Sequence, residues 1–216
     1  MKLSFLLLLC CFSLSITRAQ QFYLSDGTGR KLNITTETFE SEGSPYYPAS
    51  AYKKATVYLP DGRFILNLQV RIDLLQRRLL FREEENEFLM ILPVKKILFE
   101  DSVVFETGYP ALGKIPATAY YEVLEHGKAS LLKYAEITYV DSKGYSSNTV
   151  TRKFAARETF VLRKQESMQV LTNEASVIAA MADQQQAISK FIAQNELRFR
   201  KEKDFRAVVV FYNSLN

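Results

Sequence analysis

Acid–base chemistry in this chain would have to come from a single histidine and a scatter of carboxylates. His126 lies beside Gly127 in Glu125-His126-Gly127-Lys128, between two runs that read as strands, so it is expected as a solvated turn residue. A Ser-His-acid system would need that histidine as its base, and the chain has no Gly-x-Ser-x-Gly elbow. Hydrolysis by paired carboxylates needs only two acids held close together, and no spacing here marks such a pair. Glu83, Glu84 and Glu85 are adjacent and read as a solvated tip. Glu122, directly after Tyr120-Tyr121, is expected as an unpaired strand carboxylate facing solvent.

The tyrosines are the more informative set. Most phenylalanines fall on the apolar parity of predicted elements and belong to a core, whereas Tyr46, Tyr47, Tyr52 and Tyr109 sit beside prolines or in turn-rich sequence. A ring with a hydrogen-bonding tip suits contacts to a protein or a glycan. Tyr46, Tyr47 and Tyr109 are therefore the candidate binding residues. Bracing of loops against a sheet is the plainer alternative for the same side chains.

These groups must be placed by the rest of the chain, which starts with an address. Lys2, the apolar run 3–16 and Thr17-Arg18-Ala19 have the charged, apolar and small-residue parts of a cleaved export signal. Removing 19 residues from 216 leaves 197, enough for a sizeable core. Lys2 and Arg18 leave with the signal, so 26 basic residues face 24 acidic ones. That near-neutral balance, without a basic block, gives no footprint for nucleic acid. Cys10 and Cys11 both lie in the signal, so the mature chain is expected to be cysteine-free. Thiolate chemistry and disulfides are excluded with them, and a lone histidine does not fill a zinc site. No metal or other cofactor is expected, nor a membrane span after the signal is removed.

Residues 20–45, rich in Gly, Ser, Thr and acids, read as a flexible N-terminal segment with the sequon Asn33-Ile34-Thr35 inside it. Residues 46–171 read as an antiparallel β domain. Ala55, Val57 and Leu59 share one side of a strand, and Pro60-Asp61-Gly62 supplies a turn. Phe64, Leu66, Leu68, Val70, Ile72 and Leu74 then alternate with Asn67, Gln69, Arg71 and Asp73, which predicts one buried and one wet face. Further strand pairs are expected at 78–81 with 87–91, at 120–124 with 129–139, and at 160–163 with 168–171. Residues 172–216 switch to helical periodicity. Thr172 or Asn173 can cap a helix carrying Val177, Ile178 and Met181. Asp183 with Gln186 has capping-box spacing ahead of Ile188, Phe191 and Ile192, with Asn195 as the stop. Phe205, Val208, Val209 and Tyr212 form the stripe of a last helix from about Lys201. The expected class is α+β: an antiparallel meander, whether bent sheet, sandwich or partly open barrel, followed by short helices packed on it.

Gly43-Ser44-Pro45-Tyr46, the turn at Asp61-Gly62, Thr107-Gly108-Tyr109-Pro110, Tyr120 to Leu124 running into Leu131-Leu132-Lys133, and the tail from Phe205 to Ser214 together resemble uncharacterised exported proteins of Bacteroidota-type bacteria. The resemblance implies a bacterial envelope location and carries no activity.

The functional expectation is an exported protein, periplasmic, outer-membrane-associated or secreted. It would act by binding or structural support, with an envelope protein or a glycan as partner. A partly open barrel holding a small apolar ligand and a carboxylate-dependent hydrolase are the alternatives. A transmembrane barrel is disfavoured, since only the run 64–74 reaches the roughly 9–11 residues a spanning strand needs.

Overall fold

The computed structural model describes residues 40–143 and 150–215. The expected export signal, the sequon and most of the expected flexible N-terminal segment lie outside the described residues. Within them the fold is α+β, a large mixed sheet that is bent but not closed, followed by helices.

The strands are β1 (Glu40–Glu42), β2 (Tyr46–Tyr47), β3 (Lys53–Tyr58), β4 (Phe64–Asp73), β5 (Arg78–Glu83), β6 (Asn86–Leu89), β7 (Lys96–Phe99), β8 (Val104–Glu106), β9 (Tyr121–Glu125), β10 (Ala129–Lys143), β11 (Val150–Lys164) and β12 (Ser167–Leu171). The meander runs β3-β4-β5-β6, and the chain then returns to pair β7 with the other edge of β3. From there β7-β8-β9-β10-β11 runs away in the opposite direction. β12 pairs with the base of β11, and β1 runs parallel to β11 near its far end at Thr151–Lys153. β1 thus lies inside the stretch that the sequence presents as a flexible segment.

β4 departs from the expected alternation. Asn67 adopts a left-handed backbone with φ 55°, and the pairing with β3 shifts register between Ala55 and Val57. One extra residue in a strand sends the next side chain to the opposite face. Ile65 is therefore buried while Phe64 and Leu66 are about half exposed, at 55% and 48%. Beyond the bulge the parity of Leu68, Val70 and Ile72 holds. Asp73, placed on the wet face by parity, is instead buried, accepting from Gln76 N at 2.9 Å and Arg78 Nε at 3.0 Å.

Three helices follow: α1 (Glu174–Ala180), α2 (Gln185–Gln194) and α3 (Glu202–Ser214). Asn173 caps α1 by accepting from Ser176 N at 3.0 Å, while Ser176 Oγ accepts from Asn173 N at 3.0 Å. Such a cap contributes about 1 kcal/mol. Asp183 does not cap α2 as its spacing suggested. A 3₁₀ turn, Ala182–Gln184, intervenes, and the carboxylate accepts from Lys164 Nζ at 2.6 Å and from Tyr212 O–H at 2.7 Å.

The core has three parts. One lies inside the bent half, β3 to β8, around Val57, Val70, Phe81, Ile97 and Phe99. In the second half the sheet is buried on both faces at its base. Leu131 and Leu162, cross-strand partners, face the helices with Phe160, Val208 and Val209. Leu132 and Val161, the next pair, face the loop carrying Tyr109, Leu112 and Ile115. Farther out no residue of β10 beyond Tyr134 or of β11 before Phe160 is buried, so the outer half of this hairpin is an exposed arm.

Candidate functional site

Tyr46 and Tyr47 form β2, paired with Asp73 and Ile72 of β4. Successive side chains of a strand point to opposite faces. Tyr47 accordingly enters the first core, with its ring 5.3 Å from Phe99 and 4.7 Å from Phe105. Burial pushes its phenol up to about 12. Tyr46 goes the other way, against the Arg71 guanidinium 3.9 Å from its ring centre. Tyr109 is elsewhere, in the loop after β8. The three residues therefore do not form a single site.

Tyr109 sits edge-on to Tyr121 at 5.5 Å, donates its hydroxyl hydrogen to Glu106 Oε2 and accepts from Arg163 Nη1 at 3.2 Å. Arg163 also approaches the Glu106 carboxylate at 3.9 Å. Burial, reinforced by the bond to Glu106, raises the Tyr109 phenol to about 12. Tyr109 is thus a neutral donor-acceptor between an acid and a guanidinium.

This trio lines one wall of a cleft of about 810 Å³ between the two halves of the sheet. Beside it in the sheet stand Lys96, the cross-strand partner of Glu106, and Tyr58, the partner of Lys96. The Lys96 ammonium lies 4.3 Å from the Tyr58 ring centre, with Lys95 next to it on the lining. Leu59, Val94 and Met168 supply apolar lining. Backbone bonds fix the wall: Lys95 N donates to Tyr58 O at 2.8 Å, and Thr107 N to Lys95 O at 3.1 Å. The turn into β4 closes with Gly62 N on Leu59 O at 3.2 Å, and its φ of +87° suits glycine. The volume lies in the usual range of ligand clefts, about 300–1,000 Å³. Lys96, Glu106 and Arg163 were not picked out from sequence, because they arrive from β7, β8 and β11 with no local spacing to link them.

The carboxylates are arranged for attachment. Glu122 is not an unpaired glutamate facing solvent, as expected from sequence: it and Glu202 of α3 each lie 2.8 Å from Lys133 Nζ. Burial alone would lower the Lys133 pKa, but the hydrogen bonds to Glu122 and Glu202 outweigh it and leave it raised. The ammonium fills the space between the two acids where a substrate bond would have to sit. His126 is exposed in its turn. Among the described residues no group of three or more His, Cys, Asp or Glu side chains is placed to hold a metal ion. Among them, too, no helix is long and apolar enough to cross a membrane.

Comparison with family models, with curated proteins and with solved structures gives no match to this chain.

Proposed function

We propose that this is an exported bacterial envelope protein of the Bacteroidota-type group, acting by binding, and that the cleft at Tyr109 receives an acidic segment of a partner protein. The observation that carries the reading is the pairing of rings and cations around the cleft: Lys96 lies over Tyr58, and Arg163 lies over Tyr109 at 5.4 Å. Cations cover a face of each ring, and on the described lining Lys95, Lys96 and Arg163 exceed Glu106 and Glu166 by one charge. The cleft therefore offers charge and donors more than bare stacking surface, which favours carboxylates over a neutral glycan. Leu59, Val94 and Met168 give an apolar side chain of the same segment a place to bury. A catalytic role draws less support, because Lys133 occupies the space between the convergent acids. A barrel around an apolar ligand draws less as well, since the sheet is open.

Synthetic peptides that place two or three acidic residues beside a leucine provide the test, by fluorescence polarisation with the full chain. Tyr109→Ala and Arg163→Gln are expected to weaken the best peptide about tenfold each, the usual scale for losing a charge-assisted contact. Equal affinity in both variants would remove the reading.

A further inference from the structure

A second recess lies on the polar face of β4, away from the cleft, with a volume of about 450 Å³. Its lining is Ser50, Ala51, Tyr52, Gln69, Arg71 and Arg82. Strand geometry accounts for the convergence. Gln69 and Arg71 are two apart and share a face, Arg82 of β5 is the cross-strand partner of Gln69, and Glu87 of β6 is the partner of Arg82. Two guanidinium groups are therefore held side by side at one end of the sheet.

Both are fixed by aromatic rings. Arg71 lies 3.9 Å from the Tyr46 ring centre and 4.8 Å from that of Tyr52, and Arg82 lies 4.5 Å from the Tyr52 ring centre. Stacking orients the planar fork of an arginine without consuming its donors. The carboxylate within reach, Glu87, already accepts from Tyr52 O–H and from Arg71 Nη2, the latter at 2.5 Å. Arg71 is further under-satisfied, because its buried Nε has no hydrogen-bond partner among the described residues. Glu83, next to Arg82 along β5, belongs to the opposite face by strand alternation. Among the described residues the recess thus joins two positive charges, Arg71 and Arg82, to the negative charge of Glu87, with the Gln69 amide and the Ser50 hydroxyl at its border.

We propose that this recess is a binding site for an oxyanion, the carboxylate, sulfate or phosphate group of a small ligand, seated between Arg71 and Arg82. The forked donors of stacked arginines match the paired oxygens of such groups. This site is independent of the cleft at Tyr109.

The test is an NMR titration of the full chain with sodium acetate, sodium sulfate and inorganic phosphate in turn, at constant ionic strength, reading the side-chain Nε–H signal of Arg82. A saturable shift with at least one probe is expected, and the probe that binds tightest identifies the group. Arg82→Gln sits at the exposed rim, so the chain should still fold. Its affinity, followed on the Gln69 side-chain amide, should fall by about tenfold or more, as for loss of a charge-assisted bond. Lys190→Gln, which removes the same charge from an exposed helix position, should leave the affinity unchanged. No saturable shift with any of the three probes would overturn the proposal. So would an Arg82→Gln chain, folded by circular dichroism, that binds as tightly as the parent.

Discussion

Tyr109 is a phenol whose proton is held by its surroundings. Burial comes first and the hydrogen bond to Glu106 second, and together they raise its pKa from 10.0 to about 12. The sign follows from linkage: a raised folded-state value favours the neutral phenol, so this contribution to stability is complete below pH 10 and is lost as pH rises through about 12. Replacing Glu106 by glutamine removes the charge that opposes phenolate formation. An ultraviolet pH titration of Glu106→Gln, compared with a Tyr109→Phe background to identify the signal, is expected to show Tyr109 ionising at lower pH than in the parent. No change would mean that burial alone sets the value. A different single-residue fit governs the tail. Asn213 of α3 accepts from Ala129 N and donates to Ala129 O, both at 2.9 Å, and a Cβ at Gly127 would overlap its carboxamide. Gly127→Ala is therefore expected to displace that clasp and cost about 1–3 kcal/mol, the scale of losing buried hydrogen bonds. Urea unfolding measures it, and a loss near zero would show that Asn213 moves aside freely.

At the scale of elements, the helices were the most legible part of the sequence. The stripe Phe205, Val208, Val209 and Tyr212 is buried as its 3.6-residue period implied, and Asn195 ends α2 with its amide on the Phe191 carbonyl at 2.9 Å. Local signals failed where a distant partner competed for the same group. Asp183 has the spacing of a cap, yet Lys164 and Tyr212 take its carboxylate. Phe64 and Leu66 have the parity of a buried face, yet the bulge at Asn67 turns them out, and periodicity carries no mark of an inserted residue. The outer half of β11 was unread because Val150-Thr151-Arg152-Lys153-Phe154-Ala155-Ala156-Arg157-Glu158 lacks alternation, and an arm wet on both faces has no reason to alternate. Within that arm, Arg152 bonds Asp141 at 2.7 Å and covers the Tyr139 ring at 4.0 Å, while Val140 is 71% exposed. Replacing residues 137–156 by an Asn-Gly turn removes pairing but no buried side chain among the described residues. Its cost to the body is expected to stay within about 0.5 kcal/mol by urea unfolding, as for changes away from the core. Loss of a cooperative transition would show that the arm supports the sheet.

At the scale of the molecule, the open sheet organises what the residues can do. The bent half, β3 to β8, adjoins the half built from β9 to β12, and the cleft lies where the β3–β4 turn and β7 of the first meet the β11–β12 turn of the second. From sequence, Tyr109 was visible as a misplaced aromatic, and Tyr46 as its counterpart beside the second recess. Arg163, Lys96 and Glu106 were not, because their meeting depends on strand order, which alternation does not encode. Lys133 ties α3 to the sheet, because the acids that a hydrolase would use, Glu122 and Glu202, are both bound to its ammonium. Binding at the cleft is tested most directly by backbone amide shifts on titration with the tightest acidic peptide. The shifts are expected to cluster at Lys95, Lys96, Thr107, Gly108, Gln165 and Glu166. Shifts confined to the outer arm, with those six unchanged, would contradict it.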